Sequence, residues 1–203
     1  MWKALKKILL KVNSMSTQED ESDDLDLLRG DSSNPETSID ELFATNFSSG
    51  GGHFLYCENE NEAFQNLQEI IKYEKISSLI CVDDQLQALL DQTETNYTIN
   101  PDNISQHFSF LKCEFLCAFD GSIMISAHQT NGRKVEEFPQ NFIIWATPDQ
   151  FANNLSDALQ KLKRKKKDNL PTNITCIRGK DMHSFSSIPN AKNIYLLLVD
   201  SIS

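Results

Sequence analysis

Residues 78–82 read Ser-Leu-Ile-Cys-Val, an apolar run without alternation, and segments of helical periodicity stand on both sides of it. A strand that is apolar at successive positions suits burial on both faces, the condition of a strand inside a parallel sheet covered by helices. Before it, residues 60–73 place Ala63, Phe64, Leu67, Ile70 and Ile71 on one helical face. After it, Asp83 or Asp84 caps a helix that carries Leu86, Leu89 and Leu90. A further short apolar strand is expected at residues 53–57. This β-α-β-α order predicts an α/β fold: a mostly parallel sheet flanked by helices.

The pattern loosens farther along. Residues 93–106 are polar and include Pro101, which marks a loop or an irregular strand. The aromatic run 108–119 fits helix or strand equally by periodicity. Strands are expected at residues 122–127, 141–146, 173–178 and 193–200. Thr147, with Pro148 at the first helical position, predicts a helix start. That helix would bury Phe151, Leu155, Ala158, Leu159 and Leu162. The basic run 161–167 closes it, where cations favour the carbonyl end of the helix dipole.

The whole chain of 203 residues carries a net charge of −10, unevenly spread. Such a chain repels nucleic acid as a whole, and the basic run lacks interleaved aromatics, so no nucleic-acid partner is expected. Residues 1–15 hold four lysines and no acid, and they place Trp2, Leu5, Ile8, Leu9 and Val12 at helical spacing. They read as an amphipathic basic segment, too short to span a bilayer. Either it lies on a membrane surface or a partner, or it is a frayed terminus, or it precedes a true start at Met15. Residues 16–47 read as an acidic flexible linker, with ten acids against Arg29 over 16–45. Within it, Ser38 and Glu41 match a capping box ahead of a short helix at 38–43. An α/β domain over residues 48–203 follows, entered through Gly50-Gly51-Gly52, read as a flexible joint.

Of the five cysteines, four sit within apolar runs, and the odd count argues against a disulfide framework. Buried thiols in a reducing, cytoplasmic setting are expected. The C-x₃-C spacing of Cys113 and Cys117 has no second pair of ligands beside it, so no metal site is expected. No cysteine-rich run is present to hold an iron–sulfur centre, and no cofactor is expected in this chain.

Chemistry concentrates in residues 119–145. Gly121 permits close backbone approach. Ser122, Thr130 and the amides around Gly132 can donate to anionic oxygens. Arg133 and Lys134 supply positive charge, Arg133 being suited to a bidentate contact. Gln129 and Asn131 can orient a polar group, and Asp120 is either a general base or a turn-capping aspartate. The candidate anion site is therefore Asp120, Gly121, Ser122, Gln129, Thr130, Asn131, Arg133 and Lys134. The competing reading is a turn centred on Asn131-Gly132, with Arg133 and Lys134 facing Glu136 and Glu137 across solvent. His128 lies nearest as a proton carrier. No Ser-His-Asp or Cys-His set assembles, so catalysis stays open.

In its order of features this stretch resembles the LUD domain family, the lactate-utilisation proteins typified by LutC and YkgG. The features are the turn Asp120-Gly121-Ser122, the strand Ile123-Met124-Ile125-Ser126, the polar loop 128–134, the strand opened by Pro139-Gln140-Asn141-Phe142-Ile143-Ile144, the helix opening Asp149-Gln150-Phe151 and the closing strand 193–199. The stretch 51–57, behind an acidic leader, is similar to the Bacteroidetes-type variant. The resemblance covers roughly residues 50–203. It implies a fold similar to the NagB/RpiA/CoA-transferase group and an accessory role in oxidising lactate to pyruvate, beside partner proteins that carry iron–sulfur centres. The chain departs from the family pattern at Asp120, usually Thr, at Asn141, usually His, and at Phe119 or Ala118, where a Glu often stands. Two alternatives stay open: an enzyme of sugar-phosphate isomerase or CoA-transferase type, and a membrane-tethered interaction module resting on residues 1–15.

Overall fold

The structure is a computed structural model that describes residues 37–100, 107–167, 169–180 and 191–200. The amphipathic segment 1–15 and most of the acidic segment lie outside the described residues.

The first described element is a helix, α1 (Ile39–Ser49). Strand β1 (His53–Cys57) follows, then α2 (Glu60–Tyr73), β2 (Ser78–Ile80) and α3 (Asp84–Asp91). The cap expected at Asp83 is in place, accepting from the amides of Gln85 and Leu86 at 3.0 and 3.1 Å, and Asn59 caps α2 by accepting from the Glu62 amide; the capping box expected at Ser38 and Glu41 does not form, since the Ser38 side chain makes no cap hydrogen bond to α1. After β3 (Asn96–Thr98), the aromatic run divides into β4 (Phe108–Lys112) and β5 (Phe115–Cys117). Strands β6 (Ser122–Ile125), β7 (Asn141–Ala146) and β8 (Phe151–Ala152) come next. Helix α4 (Leu155–Lys165), β9 (Thr175–Gly179) and β10 (Ala191–Val199) complete the order.

Strands β3-β2-β4-β7-β10-β1 pair in that order, all parallel. Strand β10 belongs to two layers. Tyr195–Val199 pair with β1, whereas Ala191 and Lys192 pair with β9 on the same flank. From β9 the sheet continues through β6 and β5 to β8, with β6 antiparallel to both neighbours. The expected fold class, a mostly parallel sheet flanked by helices, holds.

Alternation along the strands sorts the core into three layers. Phe110, Ile143 and Leu197 face α2 and α3. Leu111, Phe142, Ile144 and Leu196 face the inner side of the second sheet, with α1 wedged against them. The outer side of the second sheet, Phe115, Cys117 and Met124, is covered by Ala158 and Leu162 of α4.

Three further expectations require correction. The linker drawn to residue 47 ends earlier, because Phe43 and Phe47 of α1 are buried in the central core. The glycines after α1 are accordingly not a loose joint: the amides of Gly50, Gly51 and Gly52 bond to the carbonyls of Asn46, Ser48 and Phe47 and terminate the helix. The helix expected from Thr147 starts at Leu155. Residues Pro148–Gln150 form one 3₁₀ turn, Phe151 enters β8 opposite Leu116, and Asn154 caps α4 through the Asp157 amide at 3.0 Å.

Candidate functional site

Strand β6 separates the residues singled out in the sequence. Asp120, Gly121 and Ser122 stand at its start, and residues 129–134 follow its end. Its four residues span roughly 10 Å, so the two groups do not share a site. At the start, the Ser122 amide and hydroxyl donate to Asp120 Oδ1 at 3.1 and 2.7 Å, and Arg178 pairs with the other oxygen. Asp120 thus caps its turn. Gly121 lies against the backbone of Asn46 and Phe47, and Asn46 Nδ2 donates to the carbonyls of Ala118 and Phe119 at 2.8 and 3.1 Å. The close approach that Gly121 permits is taken up by α1.

The second group forms a tight polar loop. Asn131 and Gly132 take φ of 51° and 80°, as an Asn-Gly turn requires. The Gly132 amide bonds to the Ala127 carbonyl at 2.8 Å, and buried Thr130 donates to the Arg133 carbonyl at 2.6 Å. Gln129 Oε1 accepts from the Ser126 amide at 2.9 Å. Thr130 and Gln129 therefore build the loop, while Asn131 and Lys134 are exposed on it. The Arg133 guanidinium reaches Asn100 Oδ1 at 2.9 Å and Glu137 at 3.4 Å. Asn100 follows the carboxyl end of β3, so Arg133 overhangs the carboxyl edge of the parallel sheet. Along that edge, the chain winds outward from β2 to β3 in one direction and from β4 to β7 to β10 in the other. Ligands of such sheets bind outside the carboxyl ends at this reversal. Lys112 stands there, its ammonium 3.1 Å from Asp83.

A residue missed in the sequence organises the neighbouring ground. Glu114, between β4 and β5, is only 7% exposed. Ser126 Oγ donates to its carboxylate at 2.8 Å, Lys166 Nζ lies 3.4 Å away, and His128 Nδ1 lies 3.6 Å away. Lys166 Nζ and His128 Nδ1 are 2.6 Å apart. The signal available beforehand was one acid in an otherwise apolar run. Burial works against the charged form of Glu114, but the hydrogen bonds from Ser126 and Gln129 and the Lys166 ammonium outweigh it. The carboxyl is held below its ordinary range.

A depressed carboxyl stabilises the fold above the unfolded-state pKa, and that contribution disappears as pH falls through the folded value. Glu114→Gln is therefore expected to lose about 2 kcal/mol near neutrality. The gap from wild type should close as pH drops below about 4. Urea titrations of both proteins at a series of pH values measure this, and a gap independent of pH would show that Glu114 contributes shape rather than charge.

Among the described residues, no group of three or more His, Cys, Asp or Glu is placed to hold a metal ion. No helix among them is long and apolar enough to cross a membrane.

Comparison with known proteins assigns the architecture. A DUF162 family protein from Deinococcus radiodurans superposes with a TM-score of 0.60 over 79% of this chain and 96% of its own, at 11% identity. At that identity the likeness is one of fold. Ribose 5-phosphate isomerase A from Methanocaldococcus jannaschii covers 64% of this chain and 68% of its own at 11% identity, with a TM-score of 0.31, too low to carry argument. No curated protein matches the sequence. The model of the LUD domain matches residues 41–199, most of the chain, from within α1 to the end of β10. The chain therefore belongs to the LUD domain family, which is associated with lactate utilisation.

Proposed function

We propose that this protein serves lactate oxidation as an accessory, LutC- and YkgG-type subunit that binds a small organic anion of the lactate and pyruvate class. The binding group is the loop over the carboxyl edge, with Arg133 as the principal contact and Gln129, Thr130, Asn131 and Lys134 around it. The observation that carries this reading is the placement of Arg133. Asn100 and Glu137 orient its planar fork over the carboxyl edge of the parallel sheet at β3, one strand out from the reversal between β2 and β4, and a fixed guanidinium loses less freedom on meeting a carboxylate. The turn at Asp120, Gly121 and Ser122 takes no part, since α1 covers Gly121. Electron transfer would fall to iron–sulfur partner proteins. Five free thiols suit the reducing cytoplasm of a bacterial cell.

Thermal unfolding in graded lactate and pyruvate tests this. Ligand at a hundred times its dissociation constant stabilises by about 2.7 kcal/mol. The expected result is a concentration-dependent rise in Tm that Arg133→Ala removes. A rise of equal size in Arg133→Ala would place the ligand elsewhere.

Glu114 favours a second reading, an enzyme of the sugar-phosphate isomerase or CoA-transferase type. Such chemistry needs a positioned carboxylate, and Glu114 supplies one beside His128. Stabilisation by coenzyme A or a phosphosugar, without any by lactate or pyruvate, would replace the first reading by this one.

A further inference from the structure

We propose that the acidic segment of residues 16–36 docks on the basic end of α4 of the same chain. Residues 161–167 carry six cations around Leu162. Two of the six have folded partners: Lys161 pairs with Asp157 at 3.1 Å, and Lys166 with Glu114 at 3.4 Å. Lys163, Arg164, Lys165 and Lys167 are exposed and make no ion pair among the described residues. Arg164 and Lys165 line an open groove together with Lys161, Phe115 and Asp149. Lys161 stands three residues from Arg164 and four from Lys165, a spacing at which like charges on a helix repel. An anion seated there relieves that repulsion. None of the residues assigned to the anion site at Arg133 takes part.

The fold brings the start of α1 to the same place. Phe43 meets Phe151 at the start of β8, and Asn46 reaches the carbonyls of Ala118 and Phe119, beyond the end of β5. Strands β5 and β8 run parallel, so α1 travels along them from their start toward their end. Helix α4 travels back. Asn154 caps it just after β8, Lys161 donates to the Phe151 carbonyl at 3.0 Å, and Lys166 reaches Glu114, ahead of β5. The beginning of α1 and the end of α4 thus stand at one end of the second sheet, on its opposite faces. Strand β8 is the last in the strand order, so the path round it is short. Counted back from Thr37, residues 16–36 can reach at most roughly 70 Å, several times the width of a helix.

Charge selects the occupant. Residues 16–36 hold eight acids against the single cation Arg29, and six of the acids fall within residues 19–26: Glu19, Asp20, Glu21, Asp23, Asp24 and Asp26. Tethering presents them to α4 at a high effective concentration. The rival partners are Lys3, Lys6, Lys7 and Lys11, which are nearer in sequence. Pairing with those would order two segments at once. Helix α4 already holds its cations in place, so only the acidic side loses freedom on meeting them. Each exposed pair is weak by itself, and the contact depends on their number and on low ionic strength.

A water-soluble carbodiimide, which joins carboxylates to adjacent amines, tests this on the full chain at low salt. The expected products are amides within one chain, from residues 19–26 to Lys163, Lys165 or Lys167, located by mass spectrometry of peptides. Their yield should fall roughly fivefold in about 0.5 M sodium chloride, where the screening length is roughly 4 Å. Links chiefly to Lys3, Lys6, Lys7 and Lys11, links only between chains, or no links from residues 19–26 overturn the proposal. Proton–nitrogen correlation spectra of the full chain give a reciprocal reading. Neutralising the six acids (Glu19→Gln, Asp20→Asn, Glu21→Gln, Asp23→Asn, Asp24→Asn, Asp26→Asn) should move the amides of residues 161–167. The exposed changes Lys163→Gln, Arg164→Gln and Lys165→Gln should move those of residues 19–26. Circular dichroism confirms that both variants fold. Shifts confined to the substituted segment in each case count against the contact. So does added hexaglutamate that moves residues 161–167 equally in the native and neutralised chains, because the basic face would then be unoccupied in both.

Discussion

A chain shortened to begin at Ser48 is expected not to fold, and Phe47→Ala in the full chain is expected to lose about 3–5 kcal/mol. Both follow from where α1 sits. Phe43 and Phe47, one helical turn apart, are 0% and 1% exposed and stack with ring centroids 5.4 Å apart. Phe43 also meets Phe151 of β8 edge-on at 5.5 Å and Phe54 of β1 at 6.3 Å. The helix thus touches strands from both sheets and fills the space between them. Removing it deletes two buried rings and Ala44 and leaves Ile123, Ile177 and Leu196 facing an open cleft. The sum exceeds a large share of the 5–15 kcal/mol by which domains are typically stable. Far-ultraviolet circular dichroism and urea unfolding distinguish the outcomes. A cooperative transition from the shortened chain, with the midpoint of the full one, would mean that the sheets close over α1's place unaided.

This boundary shows what was legible in the sequence and what was not. Helix α2 was read from its apolar stripe alone, and α3 from a stripe together with a capping aspartate at the right offset. Helix α1 has the same stripe in Ile39, Phe43 and Phe47, but Asp40, Glu41 and the acidic residues before it gave the region the composition of a linker. The run 108–119 stayed ambiguous for a topological reason. It contains two strands of different layers, joined at Cys113 and Glu114 without a Gly or Pro to mark the passage. At Thr147 the capping signal was sound, since Gln150 Oε1 accepts from the Thr147 amide at 2.8 Å, but it serves a single 3₁₀ turn. Phe151 is taken by pairing with Leu116, a contact across 35 positions that no local pattern announces.

The candidate site was legible by the same measure. Arg133 and its turn were found because Asn131-Gly132 is a local signal with a local cause. Glu114, Ser126, His128 and Lys166 were not found as a group because their proximity comes from the meeting of β4, β6 and the end of α4. Gly121 was seen as a place of close approach, correctly, but what approaches is the protein's own helix.

Gly121→Ala is expected to destabilise the protein far more than Gly132→Ala, although both glycines lie in the left-handed region, at φ of 62° and 80°. The conformational cost is shared: about 1–2 kcal/mol for an L-residue there. The surroundings differ. A methyl group at Gly132 would meet nothing within 4 Å, whereas at Gly121 it would lie 2.4 Å from the Phe47 amide nitrogen and 2.7 Å from its Cα. These are backbone atoms of a helix fixed by two buried phenylalanines, so the overlap has no side chain to deflect. Overpacking of this kind adds about 1–3 kcal/mol. The expected totals are about 1–2 kcal/mol for Gly132→Ala and about 2–5 kcal/mol for Gly121→Ala, the latter lowering Tm by roughly 10 °C. Thermal unfolding of the two variants beside wild type reads the difference, which isolates the contact between the β5–β6 turn and α1 from the strain common to both. Equal losses would mean that α1 yields at no cost, and the seating of Phe43 and Phe47 between the sheets would then be looser than their burial requires.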